Sequence, residues 1–312
     1  MTVKEFIRNV PIPVCGLALG AASLDRFLIQ NYDHDFSIFV FISAILVILF
    51  TMKVVMGSDV LREELESPVL FGVLPTYPMA IMILCVHLMD FSDVLAKTIW
   101  IVSLASMFLM MPFFVRKFVL GFDIRKVFPS WFVMFIGCVV SSVTSVAIGS
   151  ADVGKLIFLI GLVSYAALLP LILYRVVRIR GIPEPAIPNL AIFAAPPNLL
   201  LVGYLSAYGA GVSDIAVGIL AAMGIVSYIA VLLCLPFMMK KTFYPSYGAF
   251  TFPLVISMVS MRMIGTFYGW SDGIYEMFET ATMVIAAVMV VYVLIRYLIF
   301  FRGIATRTSG SK

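Results

Sequence analysis

FYPSYGAFTFPLVISMVSMRMIGTFY, residues 243–268, is the stretch that decides the fold of this chain. Its apolar part is long enough to cross the roughly 30 Å hydrocarbon core of a bilayer as a helix. Pro253 lies inside this run, and a proline in a helix interior removes a backbone donor and crowds the carbonyl four residues earlier, at a cost of ~3 kcal/mol. In lipid such a defect must be satisfied by protein or water, so a broken helix tends to line a cavity. Phe252, directly before the proline, is then either a plug in a narrow tube or a ring packed between helices.

The composition places the whole chain in a membrane. Hydrophobic residues make up 62% of the 312 residues and charged residues only 12%, which indicates an all-α polytopic membrane protein. The net charge of +4 comes from basic residues in short loops, so we expect no nucleic-acid partner. The four cysteines lie in apolar runs without CxxC or Cys/His spacing, and we expect them to be core residues rather than metal ligands or disulfides.

Apolar runs of about 18 residues or more predict ten transmembrane helices in a single channel domain, residues 1–312. The loops alternate between acidic ones, such as that with Asp33 and Asp35, and basic ones, such as that with Lys240 and Lys241. The positive-inside rule then places both termini in the cytoplasm and the protein in the inner (plasma) membrane. The predicted helices cover about residues 10–28, 36–56, 68–90, 94–115, 127–149, 152–177, 188–208, 213–239, 246–268 and 275–301.

Prolines and glycines recur at similar places in the odd-numbered helices. A proline opens each of these helices, and a second helix-breaking residue follows within about two turns. This repeat predicts five helical hairpins, in which five kinked helices form an inner ring around a pore and five straighter helices form an outer ring. Transmembrane helices are rich in Gly and Pro in general, so chance is the alternative. The candidate kink and lining residues are Gly16, Gly20, Pro75, Gly137, Pro196 and Pro253.

The inner helices carry almost no ionisable residue between their ends, so a pore built from them is expected to be neutral. Intramembrane carboxylates typically mark proton relays, and their absence weighs against proton coupling. Broken helices expose backbone N–H groups and positive dipole ends, which favour anions. Hydroxyl and amide groups would supply a polar lining, although each also suits an interhelical hydrogen bond. The candidate polar residues are Ser141, Ser145, Asn198, Thr251 and Ser257.

No arrangement of residues typical of an enzyme is found. His34 lies in an acidic loop and His87 near a helix end, and neither has a second ligand at metal-binding spacing. Neither Ser67 nor Ser130 has a nearby histidine to act as a base. We therefore expect neither catalysis nor a cofactor.

Four motifs resemble the tellurite-resistance and dicarboxylate transporter family, which includes bacterial TehA and the slow anion channels of plant guard cells. The motifs are VPIPVCGLALGAASL at 10–24, ESPVLFG at 66–72, AAPPNLLLVGYLS at 194–206 and GAFTFPLVISMVSM at 248–261. The resemblance implies a homotrimer in which each protomer has its own pore, formed by five bent inner helices. It also implies that Phe252 is the gate that occludes the pore. The fifth helix matches the family only loosely, which leaves the preferred anion open.

Residues and resemblance together predict a gated, uncoupled channel for small monovalent anions such as chloride or nitrate. The alternative is a proton-coupled carrier or exporter of a dicarboxylate such as malate, or of sulfite or tellurite. A structural or receptor-type membrane protein is the third possibility, but five aligned kinks give such a bundle no advantage. The expected partners are small inorganic anions, membrane lipid and two further copies of the chain.

Overall fold

The computed structural model describes residues 2–32, 38–239 and 242–307, with only the backbone of residue 307 described. Over these ranges the chain forms α-helices joined by turns and short 3₁₀ or π-type segments, with no β-strand. Several residues used in the topology and site predictions lie outside the described ranges. They are Asp33, His34, Asp35, Lys240, Lys241 and Lys312.

The α-helices are numbered in chain order. Their bounds are α1 Val3–Arg8, α2 Val14–Tyr32, α3 Ile38–Met56, α4 Ser58–Glu64, α5 Pro68–Val73, α6 Thr76–Leu88, α7 Asp93–Phe114, α8 Ser130–Ile136, α9 Val140–Thr144, α10 Ala151–Tyr174, α11 Ala195–Tyr208, α12 Asp214–Met238, α13 Thr251–Tyr268 and α14 Gly273–Arg307.

Eight helical segments in the described part of the chain are long and apolar enough to cross a membrane. Two of the ten predicted spans are not among them. The first, α2, carries charged and amide side chains in its second half, and the fifth, Ser130–Thr144, is shorter than the others. The eight segments are Ile38–Met56, Pro68–Leu88, Asp93–Val119, Ala151–Ile179, Glu184–Gly211, Asp214–Met238, Pro245–Tyr268 and Gly273–Thr306.

Two predicted boundaries differ clearly from the observed ones. The first long helix begins at Val14 rather than near residue 10, because Pro11 and Pro13 lack the backbone N–H groups that a helix continuing through them would need. The fifth helix ends at Thr144 rather than near residue 149, where Gly149 has a φ of +73° and closes a turn.

Burial alternates along the chain. In the membrane-length segments that start at Pro68, Glu184 and Pro245, between 67% and 72% of residues are buried, whereas in the other five only 22% to 33% are. The helix α2 and the segment Ser130–Thr144 are also mostly buried. The odd-numbered predicted helices are therefore the buried ones and the even-numbered helices are the exposed ones.

Contacts between the buried helices form a closed series. Helix α2 contacts α6, α6 contacts α9, α9 contacts α11, α11 contacts α13, and α13 contacts α2 again. The more exposed helices lie against them, with α3 on α2, α7 on α6, α10 on α9 and α11, α12 on α11, and α14 on α13. Each buried helix therefore contacts two other buried helices.

Four of the buried segments change helix type at or beside a predicted break. A turn at Leu74 and Pro75 separates α5 from α6, and a 3₁₀ turn at Gly137–Val139 separates α8 from α9. The 3₁₀ segments Glu184–Ala194 and Pro245–Phe250 run directly into α11 and α13. These changes of helix type agree with the periodic pattern of Gly and Pro.

Pro253 does not interrupt an α-helix, contrary to the expectation from the sequence. Helix α13 starts at Thr251, so Pro253 occupies its first turn. A proline there costs little, because the missing N–H would have had no partner within the helix. Pro196 has the same place in α11, which starts at Ala195.

Gly16 and Gly20 are also not breaks, since α2 is continuous from Val14 to Tyr32. Both glycines instead allow close packing of α2 against the segment that contains Thr251. A Cβ on Gly20 would lie 2.6 Å from the Cβ of Thr251, and a Cβ on Gly16 would lie 2.9 Å from the carbonyl oxygen of Gly248. At these two positions the structure therefore shows close packing of an unbroken helix.

The end of the molecule near α1 and α4 holds a buried ammonium group. Lys53, at the end of α3, is fully buried and its Nζ donates to both carboxylate oxygens of Glu64 at 2.7 and 2.6 Å. The same Nζ donates to the carbonyl oxygen of Val10 at 2.6 Å. This group fastens α3, α4 and the start of the first buried segment together.

Candidate functional site

A narrow cavity lies where the five buried segments meet. It has a volume of about 50 Å³, room for only a few water molecules. All five buried segments contribute to its wall, which includes Gly16, Thr76, Gly137, Pro196 and Pro253. We call this cavity the lower chamber. Of the six candidate kink and lining residues, Gly16, Gly137, Pro196 and Pro253 line it, whereas Gly20 and Pro75 do not.

A second narrow cavity, the upper chamber, adjoins the first. It also measures about 50 Å³, and its wall includes Ser23, Arg26 and Thr144. Among the described residues, Phe252 and Leu199 alone line both chambers. Both side chains are buried, with 6% and 3% of their surface exposed. The phenyl ring of Phe252 and the side chain of Leu199 therefore separate the two chambers.

Each chamber continues into a wider cavity. The lower mouth, a cavity of about 460 Å³ that includes Glu64, shares Pro13, Val73 and Asn189 with the lower chamber. The upper mouth, a cavity of about 500 Å³ that includes Arg262, shares Arg26 and four neighbouring residues with the upper chamber. The four cavities thus follow one another through the molecule, and the Phe252–Leu199 pair divides them at the middle.

Phe252 differs from the phenylalanine two residues before it. Phe250 is fully buried and packs against the ring of Tyr247, with 5.0 Å between ring centroids. Phe252 has no aromatic ring as a neighbour among the described residues. Its ring borders open volume on both sides, whereas the ring of Phe250 is surrounded by packed side chains.

The predicted polar residues Ser141, Ser145, Asn198, Thr251 and Ser257 are not among the residues that line these four cavities, so their place in a pore stays a prediction. Most of them hold helices together instead. The Thr251 hydroxyl lies 2.8 Å from both the Gly16 and the Gly248 carbonyl oxygens, so it joins α13 to α2.

Asn198 and Ser257 join three helices in the same way. The Asn198 Nδ2 donates to the carbonyl oxygens of Ala194 and Gly224 at 2.8 and 3.2 Å and lies 3.0 Å from the Ser257 Oγ. The Ser145 hydroxyl donates to the Ser142 carbonyl at 2.9 Å, and the Ser141 hydroxyl is buried without a partner among the described residues. Within the described ranges, interhelical hydrogen bonds are therefore made by Thr251, Asn198 and Ser257, but not by Ser141 or Ser145.

The N-termini of α11 and α13 offer few free backbone N–H donors. The N–H of Ala195 donates to the Ile192 carbonyl and that of Thr251 to the Gly248 carbonyl, because a 3₁₀ segment precedes each helix. The next residues include Pro196, Pro197 and Pro253, which have no N–H. The expectation of exposed backbone donors at these breaks is therefore not met.

One charged residue lines the narrow part of the pathway. Arg26 belongs to the walls of both the upper chamber and the upper mouth. The wall of the lower chamber includes no charged residue among those described, whereas the wall of the upper chamber includes Arg26. The charge-free run of the first helix ends after Ser23, and Arg26 is one turn further along the same face of α2.

A buried pair of ionisable groups was also missed. Asp25, fully buried on α2, has its Oδ2 3.1 Å from the Nε2 of His87 on α6, and its Oδ1 accepts from the N–H of Val40 at 3.3 Å. Neither side chain lines any of the four cavities. Both residues lie just beyond the charge-free runs, which end at Ser23 and Val86, so the pair is a buried ionisable site near the helix ends and outside the four cavities.

A comparison with protein-family models gave one match, to a family described as voltage-dependent anion channel, over residues 31–298. The matched range includes three of the four motifs identified in the sequence, at 66–72, 194–206 and 248–261. A search of curated proteins found no match. The matched range also contains Phe252 and Leu199, the two residues that separate the chambers.

Proposed function

Since this chain belongs to the voltage-dependent anion channels of the tellurite-resistance and dicarboxylate transporter family, we propose that it is a gated, uncoupled channel for small monovalent anions. It is an integral multi-pass membrane protein, as its apolar helices and its family indicate. The observation that supports a gated channel is the series of cavities divided by Phe252 and Leu199.

The proposed architecture has ten spans arranged as five hairpins. The buried helix α2 and the shorter buried segment Ser130–Thr144 supply the two spans beyond the eight apolar ones. Five buried segments form the inner ring around the pathway and five more exposed helices form the outer ring. The closed series of contacts between the buried helices and the alternation of burial support this arrangement.

The proposed gate is the Phe252 ring, with Leu199 opposite it. Movement of either side chain joins the two narrow chambers and makes one continuous path between the mouths. A phenyl ring bordered by open volume on two sides has space to change rotamer, unlike a ring in a close-packed interior. The apolar wall of the lower chamber favours a closed, poorly hydrated state until this movement occurs.

Uncoupled conduction is proposed because no carboxylate or imidazole among the described residues lines either narrow chamber. The second candidate is a proton-coupled carrier for malate, sulfite or tellurite. The buried Asp25–His87 pair is the one observation that favours it, since such pairs serve as proton relays in transporters. Its position outside the four cavities supports the channel instead.

The proposal has three further parts. The permeant anions are chloride and nitrate, the assembly is a homotrimer with a pore in each protomer, and both termini are cytoplasmic. The five outer helices expose large apolar side chains such as Ile45, Val163 and Phe237. Such a surface suits both lipid and further copies of the chain. Fusion reporters at the two ends test the orientation, and an extracytoplasmic C-terminus would contradict the arrangement in five hairpins.

Proteoliposomes with separate control of pH and voltage distinguish the channel from the carrier. For a channel, anion flux follows the electrochemical gradient of the anion, and a pH gradient alone drives no net accumulation. Asp25→Asn and His87→Gln are then expected to leave the driving force of transport unchanged. Uphill accumulation driven by the pH gradient, and lost in Asp25→Asn, would establish the carrier.

A further inference from the structure

Arg26 has no electrostatic partner within the described part of the chain. It lies on α2, partly exposed, in the wall shared by the upper chamber and the upper mouth. No ion pair or hydrogen bond joins its guanidinium to another described residue. Arginines in a membrane-embedded position normally pair with a carboxylate or a carbonyl, so an unpaired one beside an occluding ring calls for a functional explanation.

The nearest acidic residue in sequence and the second arginine of the upper mouth are both engaged elsewhere. Asp25 is directed toward His87 and the Val40 N–H. Arg262 donates from Nη1 to Glu279 at 2.9 Å and from Nε to the side-chain oxygen of Asn31 at 3.1 Å. The positive charge of Arg26 is therefore available to a ligand in a way that the charge of Arg262 is not.

The hydroxyl groups beside Arg26 have already used their hydrogens. The Ser23 Oγ donates to the Leu19 carbonyl at 2.8 Å. The Thr144 Oγ1 accepts from the Trp100 indole at 2.8 Å and donates to the Val140 carbonyl at 3.0 Å. Donors for an anion in the upper chamber therefore come from the Arg26 guanidinium, with the Gln30 amide as the second polar group of the wall.

The shape of a guanidinium determines which anions it binds best. Its five N–H groups form a planar fork that matches two oxygens held side by side, as in carboxylate and other oxyanions. A spherical halide has no pair of acceptor atoms to match this fork. We propose that Arg26 is an oxyanion-binding residue on the upper side of the gate, and that it makes the pathway prefer nitrate and small carboxylates over chloride. This proposal rests on the proposed channel function.

The size of the upper chamber and its single cation limit the ligand further. About 50 Å³ is room for a few water molecules or a small anion. One guanidinium neutralises one negative charge, which suits a monovalent ion. A single charge without a second fixed cation also keeps binding weak enough for the anion to leave.

The test uses the full chain in planar bilayers with the Phe252→Ala background, so that the gate is removed. Arg26→Lys keeps the charge but removes the fork, and Arg26→Gln removes both. Lys155→Gln is the matched control, because Lys155 has 42% of its side chain exposed, pairs with Asp152 at 3.1 Å and lines none of the four cavities. The readouts are the half-saturating concentrations of nitrate and formate and the permeability ratio of each to chloride.

We expect Arg26→Lys to raise the half-saturating nitrate concentration about tenfold, because the loss of one charge-assisted hydrogen bond weakens binding by about that factor. The half-saturating chloride concentration should change less. Arg26→Gln also weakens the discrimination against cations. If Arg26 recognises the planar oxyanion that nitrate and formate share, the half-saturating concentrations of both anions rise in the Arg26 variants. If both Arg26 variants keep the half-saturation and the permeability ratios of Lys155→Gln, the proposal is wrong.

A second measurement separates this proposal from the function on which it rests. Nitrate that binds only the folded protein raises its melting temperature, and this is measured on purified wild type and Arg26→Lys without any conduction. Stabilisation by nitrate, present in the wild type and lost in Arg26→Lys, supports the site even if the Phe252→Ala protein carries no current. Equal stabilisation of the two proteins overturns the site, whatever the conductance.

Discussion

At the scale of single residues, the two phenylalanines of α13 and the segment before it have different roles. Phe250 packs its ring against Tyr247, whereas Phe252 borders a chamber on each side. Both are buried, so burial alone does not distinguish them. The distinction comes from the position of open volume, and it makes Phe252 a candidate gate and Phe250 a packing residue.

Leu199 is the second residue of this division, and we predict that Leu199→Ala increases anion flux. The truncation enlarges the passage between two existing cavities. The loss of stability should therefore be smaller than the ~2 to 5 kcal/mol that a Leu→Ala change typically costs in a close-packed core. Flux assays in liposomes together with thermal unfolding measure both effects. Leu200→Ala is the control, since Leu200 is fully buried and lines no cavity. Greater flux in the Leu200 variant than in the Leu199 variant would contradict this assignment.

At the scale of helices, the contact between α2 and α13 sets the position of the Phe252 ring. The Thr251 hydroxyl bonds to the Gly16 carbonyl, and a Cβ at Gly20 would lie only 3.0 Å from the backbone nitrogen of Phe252. The backbone that carries Phe252, the proposed gate, is thus held directly against α2. A displacement of either helix changes the place of the Phe252 ring.

Gly20→Ala is therefore predicted to destabilise the protein and to alter its closed state. The new methyl would lie 2.6 Å from the Thr251 Cβ, which forces the two helices apart, and overpacking typically costs ~1 to 3 kcal/mol. Gly303→Ala in α14 is the control, because a Cβ there meets nothing within 4 Å. Denaturant unfolding and basal leak current are the measurements. A Gly20 variant as stable and as tightly closed as the Gly303 variant would argue against the close contact.

The buried Lys53 ammonium leads to a second prediction for the elements. Glu64→Gln keeps the shape of the side chain but leaves Lys53 with no carboxylate at hydrogen-bond distance. Breaking such a buried pair costs ~3 to 5 kcal/mol, and thermal unfolding in detergent measures the loss. Asp59→Asn, at the exposed pair with Arg8, is the control and should change stability little. Equal effects of the two substitutions would contradict the burial of Lys53.

At the scale of the whole molecule, much of the helical organisation follows from the sequence. Apolar runs locate the helices to within a few residues, and the recurrent prolines and glycines mark the five segments that the structure buries. Residues that face a cavity are harder to predict, because they depend on the rotation of each helix against its neighbours. Leu199, the free guanidinium of Arg26 and the Asp25–His87 pair are of this kind. The roles of the serines and threonines are hard to predict for the same reason, since a hydroxyl suits a pore or an interhelical bond equally.

The central claim is that Phe252 closes a path that otherwise runs through each molecule. The most direct test compares nitrate and chloride conductance of the wild type, Phe252→Leu, Phe252→Ala and Phe250→Ala in planar bilayers, with thermal unfolding of each protein. We predict that conductance rises from wild type to Phe252→Leu to Phe252→Ala with little loss of stability. Phe250→Ala instead loses ~3 to 5 kcal/mol of stability, as expected for a packed ring, without a comparable gain in conductance. A folded Phe252→Ala protein with the conductance of the wild type would contradict the account.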